Sequence, residues 1–391
     1  MKAIRVLHVL GAMNQGGIET WLMHVLRHLD RKAFITDLLV HTNAPAAYDN
    51  EVLALGSRIL RCPYAGNPLY YAGRFLQLVR ANGPFDVLHS HVHQFSGFVL
   101  ALGRAAGIPV RIAHSHNDTS ELNSRANLIR AAYLAASRYL IDANSTHGLA
   151  VSRPAAAALF GADWQRDTRF QVLYCGIDPA AFDRPISPAS VRAEFGFSCQ
   201  DIVFGHVGRF SPQKNHRFLL EIASEIRKLQ AHAKFLLVGD GPLRPEMEVL
   251  TRALGLQDCT VYTGGRSDIP RLMMSGMDLH LLPSLHEGLP LVLLEAQAAG
   301  LTSLVSEGIP QEAVIHPALV RRLPLSMAAD GWARVACAAA KEPRFNLSRA
   351  ISVLESSPFE IDRCVQRLSS LYRDAVPSTL LRGQEGSIPV T

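Results

Sequence analysis

Short runs of apolar residues alternate with amphipathic segments along most of this chain. The first half carries five such runs, at 4–10, 35–41, 86–92, 110–116 and 147–152. The segments between them, such as 19–30, place apolar residues three and four positions apart, which indicates α-helices. Near-continuous apolar strands are typical of parallel sheets that helices cover on both faces. The alternation therefore predicts a doubly wound α/β fold.

The alternation restarts after a loop-like stretch in the middle of the chain. Residues 174–188 are dense in Gly, Pro and Asp, a composition typical of a linker, and strand patterns resume at 201–210. Because 391 residues exceed what one core usually holds, two domains are expected. We predict domains at 1–178 and 179–358, an amphipathic C-terminal helix at 359–375 and a disordered tail at 376–391.

The cysteines and the apolar stretches favour a cytoplasmic protein. The six cysteines form no CxxC pair and no zinc-type cluster with histidine, a pattern expected in a reducing compartment. The best apolar stretch is interrupted by Arg104 and is too short for a membrane span. The N-terminus has the pattern of a strand entering a Gly-rich loop, without the apolar core and cleavage site of a signal peptide.

The formal net charge of +5 belongs to the first half of the chain. Residues 1–178 hold 17 Lys/Arg and 12 Asp/Glu, whereas the remainder holds 22 of each, so the halves carry +5 and zero. This charge is too small for a nucleic-acid footprint. It suits an acidic acceptor or an anionic membrane surface, and a basic amphipathic helix predicted at 124–139 offers a contact face. The alternative is an ordinary helix packed on the sheet with solvated arginines.

The segment 284–300 predicts an anion-binding junction between a strand and a helix. A buried strand at 277–284 precedes it, and Pro290 suits the first helical position while Gly300 suits the C-terminal cap. The free backbone N–H groups at the start of such a helix favour anions. Glu287 and Glu295 flank this junction, so both carboxylates could reach hydroxyl groups of a ligand whose phosphates lie there.

Two other loops could approach phosphate. The first strand leads into a Gly-rich loop at 11–20, which alone is explained equally well as a tight turn. After the strand at 201–210, Arg209 and Lys214 stand five residues apart across a turn. An arginine bonds phosphate bidentately and a lysine acts as a movable charge, so the pair could stabilise a leaving diphosphate.

Histidines cluster at two strand ends, with His89, His91 and His93 on one and His114 and His116 on the other. Such a run is compatible with a metal site, but alternating histidines without acidic ligands nearby favour packed or hydrogen-bonded rings. We therefore expect no metal and no cofactor.

The sequence from Glu287 to Ala296 resembles the signature of retaining glycosyltransferases of family 4, which have the GT-B fold. The resemblance implies two Rossmann-like domains that face a central cleft, the first for the acceptor and the second for the nucleotide-sugar donor. It also implies that Glu287, with Gly288 and Leu289, meets the donor sugar and that Glu295 bonds the ribose.

Further matches occur in the order that the family has them. Gly16, Gly17 and Glu19 match a Gly-Gly-x-Glu motif whose glycines approach the donor diphosphate. Arg209 and Lys214 match the pair that clamps the diphosphate in the family. These matches imply a phosphate site with contributions from both halves of the chain.

Three loops carry the remaining matches. Gly239 and Gly241 belong to a loop that lines the nucleotide pocket in the family, and Arg266 has the place of a residue whose backbone meets the base. The family also has a histidine near the sugar C6 hydroxyl. His116 is the favoured candidate because Asn117 follows it, and His114 stays open as the alternative.

The resemblance covers about residues 1–375 and is strongest to bacterial exopolysaccharide and capsule glycosyltransferases. The stretch after Gly300 departs from it, because many relatives have a Pro there and a Gly-Gly-x-x-Glu loop, for which Glu312 could stand.

The resemblance implies a retaining hexosyltransferase that uses a nucleotide diphosphate sugar as donor and a glycan or lipid-linked acceptor. No Asp-x-Asp motif is present, so we expect catalysis without a metal. With these partners we expect a cytoplasmic protein, either free in solution or peripheral at the inner face of the membrane. The alternatives are a nucleotide-sugar epimerase of the same fold and a non-catalytic sugar-nucleotide-binding protein.

Overall fold

The computed structural model describes residues 2–64, 66–120, 127–183 and 187–381. The chain forms two compact units. The first consists of Met1–Asn14, Ile18–Tyr174 and Asp362–Thr391, and the second of Gln15–Gly17 and Cys175–Ile361. Among the described residues, no helix has both the length and the apolar character that a membrane crossing requires.

The first unit is built on a parallel sheet of seven strands in the order β3-β2-β1-β4-β5-β6-β7. Its strands are β1 Ile4–Leu10, β2 Phe34–Val40, β3 Ile59–Arg61, β4 Val87–Ser90, β5 Val110–Ser115, β6 His147–Ala150 and β7 Phe170–Val172. Its described helices are α1 Gly17–His28, α2 Asp49–Ala54, α3 Pro68–Asn82, α4 Ser96–Ala105, α5 Leu128–Asn144 and α6 Arg153–Phe160.

The central strands of this sheet are buried on both faces. Six of the seven residues of β1 are buried, which explains why its sequence is an almost continuous apolar run and does not alternate. The direction in which the chain winds reverses between β1 and β4. Such a reversal leaves a crevice at the carboxyl ends of the two strands, where ligands of open α/β sheets bind.

The second unit contains a parallel sheet of six strands in the order β10-β9-β8-β11-β12-β13. Its strands are β8 Ile202–Val207, β9 Ala233–Val238, β10 Thr260–Gly264, β11 Leu279–Leu282, β12 Ser303–Ser306 and β13 Val320–Leu323. Its described helices are α7 Pro188–Ala193, α8 His216–Leu229, α9 Arg244–Ala253, α10 Ile269–Arg271, α11 Leu291–Ala298, α12 Ala329–Ala339 and α13 Leu347–Ser356.

The core of the second unit lies between its sheet and the helices α8 and α12. Phe204 and Phe235 from adjacent strands stack with ring centroids 5.8 Å apart, and Trp332 of α12 is fully buried against the same cluster. Helix α8 buries Leu219, Leu220, Ile222, Ala223 and Ile226, which recur at helical spacing. The reversal of winding in this sheet falls between β8 and β11.

Two parallel-stranded, doubly wound domains were predicted, and the prediction is confirmed. The division between the units falls after Tyr174, four residues before the predicted boundary at 178. The predicted C-terminal helix is α14, Ile361–Ala375, and it belongs to the first unit from Asp362 onward because the buried side chain of Tyr372 hydrogen-bonds His89 there.

The predicted tail and the predicted basic helix differ from the structure in their bounds. Val376 is buried and Ser378–Leu381 form a short helix, α15, so the tail does not begin at 376; residues 382–391 lie outside the described part of the chain. The basic helix, expected at 124–139, is α5, Leu128–Asn144. Asn127 caps it by accepting a hydrogen bond from the Arg130 N–H, and residues 121–126 lie outside the described ranges.

Candidate active site

The candidate site of the second unit lies at the carboxyl ends of β8 and β11. These strands pair in parallel, with Phe204 opposite Leu279 and Gly205 opposite His280, and the winding reverses between them. The loop after β8 contains Arg209 and Lys214, and the loop after β11 contains Glu287. The fold thus brings residues 73 positions apart in the sequence to one end of the sheet.

Lys214 and Glu287 form an ion pair at this point. The Lys214 ammonium donates to Glu287 Oε1 over 2.5 Å, and both side chains are largely buried, with 15% and 7% of their surface exposed. Gln213 donates to the other carboxylate oxygen over 3.1 Å and to the carbonyl of His286 over 2.9 Å. A cation and a carboxylate that are held together in a largely dry site keep the charge balanced until a charged ligand enters.

A short turn aims Lys214 at the site. Pro212–Lys214 form a single 3₁₀ turn, and Asn215 follows in the left-handed region with φ of 54°, where helix α8 begins. Asparagine tolerates this conformation better than most residues. The carbonyl of Gln213 also accepts a hydrogen bond from the Leu285 N–H, which joins the two loops directly.

Arg209 differs from Lys214 in its surroundings. Its side chain is exposed and makes no hydrogen bond or ion pair with any residue that the structure describes. Two glycines fix the loop that carries it. A side chain at Gly239 would lie 2.1 Å from the carbonyl oxygen of Gly208, and one at Gly241 would lie 2.5 Å from that of Phe210. These glycines are therefore required by the close packing of two loops, a constraint that the sequence alone did not separate from phosphate binding.

Helix α11 begins one residue later than predicted. Pro290 is its N-cap residue, with φ of −75° and ψ of 98°, and the helix starts at Leu291 because Pro290 is extended and not helical. Gly300 follows the C-terminal cap with φ of 64°, as its predicted capping role requires. Gly288 and Leu289 are buried in the turn before the helix.

Glu295 lies inside α11 and is half-buried. Its carboxyl group is enclosed by protein, and this desolvation raises its pKa from 4.5 to about 8. The carboxyl group makes no hydrogen bond with a described residue. A carboxyl group of this kind is suited to accept hydrogen bonds from ligand hydroxyls, which would stabilise its charged form.

The side chain of Arg266 is held in an ionic network. It donates to both carboxylate oxygens of Asp268 over 2.8 Å and pairs with Glu194 over 2.8 Å, while Arg271 pairs with the same two acids. These bonds lower the pKa of Asp268 to about 2. The network lies just after β10, whereas the part of Arg266 that was predicted to meet the base is its backbone.

The remaining candidate residues follow β1 and β5 in the sequence, and of these Gly16 and Gly17 are grouped with the second unit. Gly17 is the first residue of α1 and is exposed, Glu19 lies in the first turn of that helix, and Gly16 precedes it. His116 comes directly after β5 and is half-buried, whereas His114 is fully buried within the strand. The exposed edge of His116 favours it over His114 as the ring that meets a ligand.

The five histidines nearest to these strand ends hydrogen-bond one another, as expected of packed rings. His8 Nδ1 lies 3.0 Å from His91 Nε2, and His91 Nδ1 lies 2.9 Å from His116 Nε2. His89 Nε2 lies 3.1 Å from His114 Nδ1. His8 could not be recognised from the sequence as part of this cluster, because a single histidine in an apolar strand gives no sign of the neighbours that the sheet provides.

Two further residues of the second unit were missed. Gln213 contacts Glu287 directly, and its position beside Lys214 in the sequence was the one available indication. Gly308, in the loop that departs from the family pattern, packs so closely on Leu285 that a side chain there would lie 2.2 Å from the Leu285 carbonyl oxygen. Glu312 follows in a 3₁₀ turn, Gln311–Ala313.

Two family models match the chain, one in each half. Residues 15–181 match Glycosyltransferase Family 4, and residues 201–328 match Glycosyl transferases group 1. Both descriptions are of glycosyltransferases, which favours this activity over the alternative of a nucleotide-sugar epimerase.

Relatives align along nearly the whole chain. EpsF of Bacillus subtilis (strain 168), which is named as a glycosyltransferase, is 37% identical over 372 residues, covering 94% of this chain and 96% of EpsF. The capsular polysaccharide biosynthesis glycosyltransferase CapH of Staphylococcus aureus is 23% identical and covers 94% of this chain and 98% of CapH.

Solved structures share the fold at low sequence identity. Anabaena Alr3699/HepE, in complex with UDP and glucose, superposes with a TM-score of 0.76 at 17% identity and covers 95% of this chain and 99% of its own. WaaG, a glycosyltransferase involved in lipopolysaccharide biosynthesis, superposes with a TM-score of 0.74 at 17% identity. The superposition covers 94% of this chain and 99% of WaaG. The two parallel-sheet units thus have the GT-B architecture, and the chain belongs to glycosyltransferase family 4.

Proposed function

We propose that this glycosyltransferase moves a hexose from a nucleotide diphosphate sugar to a glycan or lipid-linked acceptor of a cell-surface polysaccharide, with retention of the anomeric configuration. The observation that carries the proposal is the Lys214–Glu287 pair at the point where winding reverses in the second sheet. The names of relatives support the substrate class. An Escherichia coli relative, 26% identical over 57% of this chain, is a UDP-Gal:alpha-D-GlcNAc-diphosphoundecaprenol galactosyltransferase.

The second unit supplies the donor site in this proposal. Glu295 accepts hydrogen bonds from the ribose hydroxyls, and the Arg266 backbone meets the base. Arg209, which is exposed and unpaired among the described residues, binds the diphosphate together with Lys214. Glu287 then accepts hydrogen bonds from the sugar hydroxyls, with Gly288 and Leu289 beside it. Lys214 is shared between Glu287 and the phosphate, so its charge shifts toward phosphate as the leaving group develops negative charge.

The first unit binds the acceptor in this proposal, and the family resemblance assigns Gly16, Gly17 and Glu19 to the donor diphosphate and His116 to the sugar. No side chain of the site is placed as an attacking nucleophile. The bond between the anomeric carbon and the phosphate oxygen breaks, and the acceptor oxygen bonds the same face of the sugar. The acceptor proton passes to the departing phosphate.

We further propose that transfer requires no divalent metal. Arg209, Lys214 and the N-terminus of α11 provide the positive charge that a metal-bridged diphosphate would otherwise need. An assay of nucleotide release tests both statements. We expect release that depends on added acceptor and survives EDTA. Release that does not depend on any acceptor would contradict the transferase, and complete loss in EDTA with recovery in manganese would contradict metal independence.

We also propose that the first unit rests on an anionic membrane surface at the cytoplasmic side. The support is helix α5, whose apolar side chains are unusually exposed: Leu128 by 90%, Ile129 by 83% and Tyr139 by 71%. Arg130 and Arg138 lie on the same helix, so apolar contacts and attraction to anionic headgroups would act together. A lipid-linked acceptor would need such access to the bilayer.

Liposome co-sedimentation tests this surface. Binding should require anionic lipid and decrease with salt, and it should weaken when Leu128 and Ile129 are both replaced by Ser. Leu53→Ser and Val249→Ser serve as controls, because these side chains are also exposed but lie on other helices. Equal recovery in the supernatant with anionic and neutral vesicles at low salt would contradict the proposal.

A further inference from the structure

Five histidines of the first unit gather at the carboxyl ends of its three central strands. β1 carries His8, β4 and its following residue carry His89 and His91, and β5 and its following residue carry His114 and His116. The strands are neighbours, and His8 lies directly opposite His89 in the parallel pairing. Strand pairing therefore assembles one imidazole cluster from three distant parts of the sequence.

Three of these rings bring one nitrogen each close to the other two. One ring nitrogen from each of His91, His114 and His116 lies within 4.8 Å of the other two. His91 Nδ1 and His116 Nε2 are 2.9 Å apart, and the buried Nε2 of His114 has no hydrogen-bond partner among the described residues. A tetrahedral ion with bonds of about 2.0–2.1 Å holds its nitrogen ligands roughly 3.3 Å apart, so small ring movements would suffice.

The other nitrogens of the buried ligands are already supported. His91 Nε2 lies 3.0 Å from His8 Nδ1, and His114 Nδ1 lies 3.1 Å from His89 Nε2. His89 Nδ1 in turn lies 2.6 Å from the Tyr372 hydroxyl. If His91 and His114 bind an ion, each donates its remaining N–H to the next ring. Metal-binding histidines usually have a partner of this kind, which fixes the tautomer and the ring orientation.

The surroundings favour neutral imidazoles, which are the form that binds metal. Burial is the main reason that the pKa values of His91 and His114 lie well below the usual range for histidine. Burial also lowers the pKa of His116 to about 3. Trp21 covers the cluster, with its ring centroid 5.2 Å from that of His114 and 5.5 Å from that of His116. Of the three proposed ligands, His91 and His114 are buried, whereas His116 is half-buried and lies nearest to solvent.

We propose that His91, His114 and His116 form a binding site for a late first-row divalent ion, with Zn²⁺ as the expected occupant and a water molecule as the fourth ligand. Three imidazoles and no carboxylate match the preferences of Zn²⁺ and its neighbours in the series, and exclude Mg²⁺ and Ca²⁺, which prefer oxygen ligands. The proposal concerns binding alone and does not rest on the proposed transfer reaction.

Titration of the metal-stripped, tag-free full chain tests this site. Co²⁺ should bind with one equivalent per chain and give the visible absorption of a low-symmetry site, and Zn²⁺ should displace it. His91→Gln and His114→Gln should each weaken binding at least 100-fold. His147→Gln is the matched control, a half-buried histidine of the same unit that bonds Thr146 outside the cluster, and it should leave binding unchanged. His8→Gln, which removes only a supporting partner, should weaken binding about 10–100-fold.

Circular dichroism on each variant shows whether it folds. If the ligand variants do not fold, X-ray absorption on the Zn²⁺-loaded native chain decides the question: imidazole scattering from three nitrogens at about 2.0 Å is expected. Failure of the native chain to bind Co²⁺ or Zn²⁺ stoichiometrically, or unchanged affinity after His114→Gln in a folded protein, would overturn the proposal. Neither result bears on nucleotide release, which tests the transferase separately.

Discussion

The two units place different chemistry at the same topological position. At the reversal of winding in the first sheet, between β1 and β4, the structure holds neutral histidines that bond one another. At the corresponding point of the second sheet, between β8 and β11, it holds a cation and a carboxylate, Lys214 and Glu287. The shared fold provides a crevice in each unit, and the residues at the strand ends decide which ligand that crevice suits.

Burial acts in opposite directions on the titratable groups of the two regions. It lowers the pKa of His8 and His116 to about 3 and raises the pKa of Glu295 to about 8. In each case desolvation disfavours the charged form. The first region is therefore expected to be sensitive to acid, and the proposed role of Glu295 at the ribose requires conditions that keep its buried carboxyl group charged.

The largest expected effect follows from Lys214→Ala in the second region. We expect turnover to fall about 100–1000-fold, equivalent to a loss of about 2.7–4 kcal/mol, because the phosphate charge that Lys214 meets grows in the transition state. Binding of the donor should change much less. The measurement is turnover and donor affinity of the variant under saturating acceptor.

Lys228→Ala provides the matched control, because Lys228 also pairs with a glutamate in the same unit, Glu225, but is 65% exposed. It should leave turnover unchanged. Near-normal turnover of Lys214→Ala would show that its ion pair with Glu287 is structural. The charged residues at the end of the second sheet would then not act in catalysis.

A smaller effect is expected in the pH dependence of nucleotide binding. In the proposed donor site, ribose hydroxyls donate to Glu295 and stabilise its charged form, so ligand binding should lower its pKa from about 8 in the free protein. Affinity for the nucleoside diphosphate should then fall by up to about fivefold as the pH falls from 8 to 7. Calorimetric titrations at both pH values measure this, and Glu295→Gln should remove the dependence.

Glu221→Gln is the control for this experiment, because Glu221 is an exposed carboxylate of the same unit. It should retain the pH dependence of the native chain. A native affinity that does not change between pH 8 and 7 would contradict the role of Glu295 at the ribose.

The smallest effect concerns the stability of the first region in acid. A histidine whose pKa is lowered on folding binds more protons in the unfolded state, so its contribution to stability is present above pH 6.5 and is lost as the pH falls toward 3. His8→Gln removes one such group. The loss of melting temperature between pH 7.5 and 5.5 should be smaller in this variant by roughly 2–4 °C. Calorimetry that shows the same loss in both proteins would contradict the burial of a neutral His8.

The fold could be predicted from the sequence because strands buried on both faces leave a continuous apolar run. The run at 4–10 corresponds to β1 and the run at 201–210 contains β8. The start of α11 was misplaced by one residue, because the preference of proline for the first helical turn does not distinguish the N-cap from the next position. The sequence also gave no indication that the C-terminal helix α14 belongs to the first unit. The side-chain bond between Tyr372 and His89 that joins them links residues 283 positions apart.

The residues of the candidate site were predicted one by one from local motifs, but the contacts between them were not. Nothing in the spacing of Lys214 and Glu287 indicates that they form a largely buried ion pair, because the contact depends on β8 and β11 being neighbours in the sheet. The histidine cluster shows the same limit, because His8 joins it only through strand pairing. Contacts between distant segments depend on topology, which a local motif does not contain.

The central claim is that Glu295 recognises the nucleotide and Glu287 the sugar, and calorimetry on two variants tests it most directly. The ligands are the nucleotide sugar selected by a thermal-shift screen and its free nucleoside diphosphate. Glu295→Ala should weaken both ligands by about 1.5–3 kcal/mol. Glu287→Gln should weaken the nucleotide sugar alone, and the free nucleotide should bind at least as well as before because Lys214 loses its carboxylate partner. Equal losses of free-nucleotide affinity in the two variants would contradict the assignment.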